Sequence, residues 1–224
     1  HIAALADNLQ NVGVQLDIDT IWNLYWVAIS NDIEKAKEYS NQLIEIHTQK
    51  NEYYWLCQIL VSSAQVYAKD EDIQMEFNLA NQALHISRKY NFKDLELKCI
   101  IALANTDTSL GLSLNAKQEL LEGAFDLINE LGHTELVGQA YTAYGNLLGN
   151  QGKYYESISA FENLIKAGVS TSEIAAGMFG VATNYVNLGD KPNAIIGYKK
   201  AIDYCIIHGE LAYADWGKKQ LADL

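Results

Sequence analysis

The sequence predicts an all-α chain built from consecutive pairs of helices. The 224 residues contain a single proline, so proline interrupts a helix at almost no position. Apolar and small residues recur three and four positions apart along most of the chain, which is the spacing of residues on one helix face. Short polar turns separate these segments at regular intervals. Together the three observations favour helix–turn–helix units that follow one another along the sequence.

Composition limits the classes of function. The chain is 49% hydrophobic and 20% charged, which is typical of a folded protein. It has no run of about 18 apolar residues and no signal peptide, so we expect no membrane contact and a cytoplasmic location. The net charge of −12 disfavours nucleic acid as a partner, because phosphate contacts require a clustered basic surface. Because residue 1 is His rather than Met, we interpret the chain as a piece of a longer protein.

Residues that could carry catalysis are scattered along the sequence. Cys57, Cys99 and Cys205 lie far apart inside helical patterns, so we expect buried thiols in a reducing compartment rather than disulfides or a metal site. The five histidines also fall in separate segments, and we expect them in turns or at the surface. The sequence contains no phosphate-binding glycine loop and no metalloprotease or nucleophile motif. We therefore expect no enzyme activity, no metal and no cofactor.

The N-terminal part predicts a helix and a first helix pair. Residues 2–12 form a helical pattern that ends at Gly13, a residue suited to a helix C-terminus. The first pair covers residues 17–30 and 32–48. Acidic residues open the first of these two helices, where the helix dipole favours negative charge.

Further pairs continue the pattern to the end of the chain. The second pair covers residues 52–69 and 71–90, and the third covers 93–110 and 114–131. The fourth lies within residues 138–164, where a turn at 150–152 separates two apolar faces. The predicted repeats, in one domain over residues 1–224, are residues 15–50, 51–91, 92–132, 133–168 and 171–208, with terminal helices at 2–12 and 210–222.

One position recurs in the first helix of each of the five pairs and in the last helix, and a small residue occupies it in five of these six helices. A small side chain lets the neighbouring helix approach closely, so this small-residue slot marks the packing surface of each unit. The spacings between successive slots are 40, 40, 41, 37 and 35 residues. The slot residues are Leu24, Ala64, Ala104, Gly145, Ala182 and Gly217.

The fourth pair resembles the tetratricopeptide repeat (TPR), in which bulky, small and aromatic residues alternate at fixed positions. The residues that carry the resemblance are Tyr141, Tyr144, Gly145, Leu148, Gly152, Tyr154, Ser157, Phe161 and Leu164. Most units exceed the usual period of about 34 residues, and they resemble the long, degenerate TPRs of bacterial signalling and transcription regulators. Asp107 departs from the pattern, since an aromatic residue is usual there. The resemblance implies a right-handed superhelix (an α-solenoid) of about five helix–turn–helix repeats plus terminal helices.

The resemblance also implies a concave groove lined by the first helix of each repeat. The residue after the small-residue slot then faces the groove, and it is usually an amide or a hydroxyl. Such side chains can hold the backbone of an extended peptide, because an amide both donates and accepts hydrogen bonds. The residues after the slot are Tyr25, Gln65, Asn105, Asn146 and Thr183. The predicted ligand-binding residues are Gln65, Lys69, Lys98, Ile101, Asn105, Gln139, Thr142, Asn146, Asn150, Phe179, Thr183 and Asn187.

Other interpretations of these surfaces remain open. The polar residues of the groove can simply solvate a concave wall. Co-chaperone TPRs that bind acidic tails use groove lysines, and Val61, Ile101, Thr142 and Phe179 stand at the matching positions here, which disfavours that ligand. An aromatic cluster between residues 22 and 55 fits core packing, a second ligand patch or a dimer surface. The terminal helices can also pair with a second copy to form a homodimer.

The sequence therefore favours a non-catalytic module that binds a peptide or protein segment in the groove. We interpret it as the sensory or regulatory segment of a larger bacterial signalling protein. One alternative is a structural scaffold or oligomerisation module. The other is a regulatory domain that senses a small molecule, which requires a closed pocket.

Overall fold

The computed structural model describes residues 16–106, 112–132, 135–168 and 170–224. Over these residues the chain forms eleven α-helices and no β-strand, which confirms the predicted all-α class. The chain divides into two compact units, residues 1–110 and residues 111–224. The predicted helix at 2–12 and Asp107 lie outside the described residues. The prediction of one domain over the whole chain stays a prediction.

The described residues of unit 1 form five helices, and each packs against the next along the chain. Three of them begin after short turns in which Asn51, Glu71 and Asn91 adopt positive φ angles of 56°, 58° and 57°. Aspartates cap three of the helices. The carboxylates of Asp17, Asp32 and Asp72 each accept a hydrogen bond from a backbone N–H of the first turn. The helices are α1 (Ile18–Asn31), α2 (Ile33–Gln49), α3 (Tyr53–Lys69), α4 (Ile73–Tyr90) and α5 (Lys93–Asn105).

Two details of unit 1 correct the sequence predictions. Helix α5 ends at Asn105 rather than at residue 110, because both the N–H and the hydroxyl of Thr106 donate to the carbonyl of Leu103. Tyr25, predicted to face the groove, is instead fully buried. Its hydroxyl donates to Ser62 Oγ at 2.7 Å, and this partner removes the cost of burying a polar group. Burial raises the pKa of this hydroxyl.

Unit 2 shows six helices over its described residues, again packed each against the next, and α7 also contacts α9. A cluster of buried residues from α9, α10 and α11 forms one part of its core, with Phe179 and Tyr198 as the largest members. The helices are α6 (Leu114–Leu131), α7 (Val137–Asn150), α8 (Tyr154–Ala167), α9 (Thr171–Asn187), α10 (Lys191–His208) and α11 (Leu211–Ala222).

Glycines in unit 2 make room for aromatic rings. A Cβ atom at Gly145 would lie 2.8 Å from the ring of Phe161, and one at Gly180 would lie 2.6 Å from it. The ring therefore packs between the backbones of α7 and α9. Gly217 makes the same kind of space, since its Cβ would lie 2.5 Å from the ring of Phe179. The small-residue slot thus serves close helix packing at Gly145 and Gly217, as the sequence suggests.

The three cysteines are buried free thiols, as predicted. Cys57 Sγ donates to the carbonyl of Ala83 at 3.3 Å. A hydrogen bond with Cys57, together with burial, raises the pKa of the Cys99 thiol, and burial raises the pKa of Cys205. None of the helices over the described residues combines the length and the hydrophobicity that a membrane span requires.

Candidate functional site

A pocket of about 610 Å³ opens within unit 2. This volume lies in the range of small-ligand and peptide side-chain sites. Helices α7, α8, α9 and α11 contribute its walls. The lining residues are Thr142, Gly145, Asn146, Gly149, Asn150, Tyr154, Ser157, Phe161, Ala176, Phe179, Gly180, Thr183, Asn184, Asn187, Ala212, Tyr213 and Trp216.

Two rows of polar side chains line this pocket. Asn146 and Asn150 lie one turn apart on α7, and Thr183 and Asn187 lie one turn apart on α9, so each pair shares a helix face. The side-chain amides of the three asparagines take part in no hydrogen bond within the described part of the chain. Thr183 is already paired, because its hydroxyl lies 3.0 Å from that of Tyr198. The three free amides offer six donor hydrogens and three acceptor oxygens to a ligand.

Aromatic rings from α9 and α11 form the apolar part of the pocket. The ring of Phe179 meets that of Trp216 edge to face, with centroids 5.1 Å apart, and lies parallel to that of Tyr213. Phe179 is buried, whereas Trp216 keeps 43% of its surface exposed. Helix α11 therefore presents a broad indole to the pocket and anchors it on a buried ring.

A hydrogen-bonded chain fixes the side chain of Asn184 in the pocket wall. Its Nδ2 donates to the carbonyl of Gly180 at 2.8 Å and to Ser157 Oγ at 2.9 Å. The Ser157 hydroxyl in turn donates to the carbonyl of Gly145 at 2.6 Å. Asn184 is only 4% exposed, and no donor among the described residues reaches its Oδ1.

The pocket brings together half of the predicted ligand-binding residues. These six are Thr142, Asn146, Asn150, Phe179, Thr183 and Asn187. Gln139 is exposed on α7 outside the lining. The other five lie in unit 1, where Ile101 is buried and Lys69 Nζ donates to the carbonyl of Ile29. The unit 1 residues are Gln65, Lys69, Lys98, Ile101 and Asn105, and their ligand contacts stay a prediction.

The sequence prediction missed Asn184, Tyr213 and Trp216. Asn184 lies four residues after Gly180 on the packed face of α9, and its burial requires tertiary contacts to recognise. Tyr213 and Trp216 belong to the last helix, which the sequence suggested as a pairing surface rather than a pocket wall. The signal that could have found them is their spacing, since Tyr213 and Trp216 lie three positions apart and therefore share one face of α11.

A second cavity, of about 1140 Å³, lies in unit 1 among the aromatic residues near its start. His47 is buried there, which corrects its predicted place in a turn or at the surface. Its Nε2 accepts from Trp22 Nε1 at 3.2 Å, so Nδ1 carries the proton that bonds Glu52 at 2.7 Å. Trp22 also stacks on Trp26. In the described ranges, no group of three His, Cys, Asp or Glu side chains is arranged to hold a metal ion.

No family model matches the chain, and no curated protein matches it in sequence. Solved structures do resemble it. A STAND signal-transduction ATPase with a TPR sensor, from Pyrococcus horikoshii, superposes with a TM-score of 0.72 and 16% identity over 89% of this chain. A Rap protein complexed with Competence and Sporulation Factor gives a TM-score of 0.74 at 16% identity over 96% of this chain.

TPR-like repeats from a putative kinesin light chain of Podospora anserina give a TM-score of 0.71 at 15% identity over 88% of this chain and 100% of that one. The chain spans 31% of the STAND protein and 61% of the Rap protein. At these identities the likeness shows the fold. The chain therefore has the TPR-like α-solenoid fold that the resemblance implied.

Proposed function

We propose that this chain is a non-catalytic TPR-like module that binds a peptide or protein segment in the unit 2 pocket. The observation that carries the proposal is the pairing of two polar rows with an aromatic wall. Asn146 and Asn150 face the pocket from α7, Asn187 faces it from α9, and Trp216 adds an apolar surface.

This arrangement suits a peptide because a peptide backbone alternates donors and acceptors. An asparagine amide offers both, so it pairs with either group of the ligand backbone. Side chains of an extended peptide point alternately to two sides, and one side can then enter the aromatic part of the pocket. Sequence-tolerant backbone contacts and a few side-chain pockets are the usual combination in peptide recognition.

The wider role follows by analogy with the similar structures. One is described as a Rap protein bound to Competence and Sporulation Factor, and another as a signalling ATPase with a TPR sensor. We infer that this chain is likewise the sensory or regulatory segment of a bacterial signalling protein in the cytoplasm.

A second candidate function is assembly of copies of the chain. Ile206, Ile207 and Leu211 are exposed apolar residues around the junction of α10 and α11, and exposed apolar clusters favour association. A homodimer through this surface would make the chain a scaffold.

Selection of peptides from a random eight-residue library tests the proposal. We expect binders whose affinity falls about thirtyfold in the double variant Asn146→Ala, Asn187→Ala, because each lost hydrogen bond is worth about 1 kcal/mol. The double variant Asn81→Ala, Asn115→Ala removes two exposed asparagines outside the pocket and should bind normally. Equal affinity in both double variants would contradict the pocket. A melting temperature that rises with protein concentration, without peptide binding, would favour assembly.

A further inference from the structure

We propose that the unit 2 pocket selects an uncharged ligand segment that presents an amide N–H to Asn184 Oδ1 and an apolar side chain to Phe179 and Trp216. This inference rests on the proposed function and names the kind of residue that the pocket takes. It depends on three features of the pocket: an unpaired acceptor, a glycine beside it and a lining without charge.

The acceptor is unpaired because its neighbours fix the orientation of the amide. Asn184 Nδ2 donates to the carbonyl of Gly180 and to Ser157 Oγ. Ser157 uses its own hydrogen on the carbonyl of Gly145, so its oxygen accepts from Asn184. Turning the amide over would place Oδ1 against the carbonyl oxygen of Gly180, which is repulsive. The oxygen is therefore held away from both partners.

A buried acceptor without a donor is uncommon in folded proteins and costs stability. Among the described residues, none donates to Asn184 Oδ1. The pocket extends to this side chain, since Asn184, Ser157 and Gly149 all belong to its lining. A ligand N–H is the group whose arrival would satisfy this oxygen.

Gly149 lies beside this buried oxygen and places no side chain over it. A Cβ at this position would lie 3.5 Å from Asn184 Oδ1 and 3.5 Å from Ser157 Oγ. These are ordinary contact distances, so the fold tolerates a methyl group there. The same methyl group would occupy space beside the acceptor that a ligand backbone needs. The glycine thus allows close approach of a second backbone.

The lining sets the charge of the ligand. None of the residues that line the pocket is charged, although the chain as a whole carries −12. A charged ligand group would lose its hydration in the pocket without gaining an ionic partner, which is costly. An apolar side chain instead gains contact with the buried ring of Phe179 and the exposed indole of Trp216. The pocket therefore favours a neutral residue with an apolar side chain.

The experiment uses peptides selected from the eight-residue library on the full chain. A backbone N-methyl scan of one selected peptide should reveal one position at which methylation weakens binding about tenfold. Gly149→Ala should weaken the unmethylated peptide by a similar factor, and in this variant the methylated position should lose its effect. Gly123→Ala is the matched control, because a Cβ there meets nothing within 4 Å, and it should bind normally.

Two further measurements distinguish a failure of this inference from a failure of the proposed function. Lys or Glu in place of the apolar residue of the selected peptide should each weaken binding at least tenfold. Selected peptides rich in charge, a flat N-methyl scan, or normal binding by Gly149→Ala would each overturn the inference while peptide binding stands. N-acetyl-leucinamide is a single neutral residue with amide N–H groups and an apolar side chain. If it displaced the peptide at equal concentration, the result would support the inferred ligand chemistry and contradict the proposal that the ligand is a peptide segment. Failure of every peptide and of N-acetyl-leucinamide to bind would overturn both.

Discussion

Replacing Phe161 by alanine is expected to lower the free energy of unfolding by about 3–5 kcal/mol. The ring is buried between α7 and α9, against the backbone of Gly145 and Gly180. Two glycines on separate helices give the ring its space, and neither has a side chain that can move in to fill the cavity. The loss should therefore lie toward the upper end of the range for large core deletions.

The control for this prediction lies on the same helix. Tyr155 on α8 is 72% exposed, so Tyr155→Ala removes an aromatic ring without opening a cavity and should change stability by no more than about 0.5 kcal/mol. Urea unfolding followed by circular dichroism measures both variants. Equal destabilisation by the two substitutions would contradict the described packing of α8 between α7 and α9.

Replacing Trp216 by alanine is expected to weaken binding of a library-selected peptide about thirtyfold or more. Half-exposed tryptophans in a pocket are typical binding hot spots, where truncation costs about 2 kcal/mol or more. Trp216 lies edge to face on the buried ring of Phe179, so its indole is held in place before a ligand arrives. Such preorganisation reduces the entropy lost on binding.

Trp55→Ala provides a matched control in unit 1. Trp55 is 51% exposed and lines the other cavity, so the two substitutions remove the same side chain at similar exposure. Isothermal titration calorimetry with the same peptide compares them. Loss of binding in Trp55→Ala, with Trp216→Ala unaffected, would place the ligand in unit 1 and contradict the proposed site.

Local sequence patterns were sufficient to predict the eleven helices of the described residues. Apolar spacing, acidic residues at a helix start and turn residues act within a few positions of one another, so they are visible in the sequence. The glycine at position 145 was also predictable as a packing contact. The end of α5 was not predictable. The hydroxyl and the N–H of Thr106 both donate to the carbonyl of Leu103 where the helix ends, but a threonine can equally well continue a helix, so its presence in the sequence does not mark the end.

The site was predictable only in part, because burial depends on contacts between helices. The repeat register located Asn146 and Asn150 on the pocket wall. It also assigned Tyr25 to a groove, whereas the partner Ser62 on α3 allows this tyrosine to be buried. Asn184 was overlooked for the converse reason, since its bond to Ser157 on α8 is what makes a buried asparagine acceptable. Helical spacing alone shows neither partner.

The most direct test of the central claim is the mapping of a selected peptide by amide chemical-shift changes on the isotope-labelled chain. We predict that the largest changes fall on α7, α9 and α11, around Asn146, Thr183 and Trp216, and saturate with peptide concentration. The α1–α4 region should show the smallest changes if the unit 2 pocket holds the peptide. Changes confined to the tryptophan-lined cavity of unit 1, or no changes in unit 2 at saturating peptide, would contradict the account.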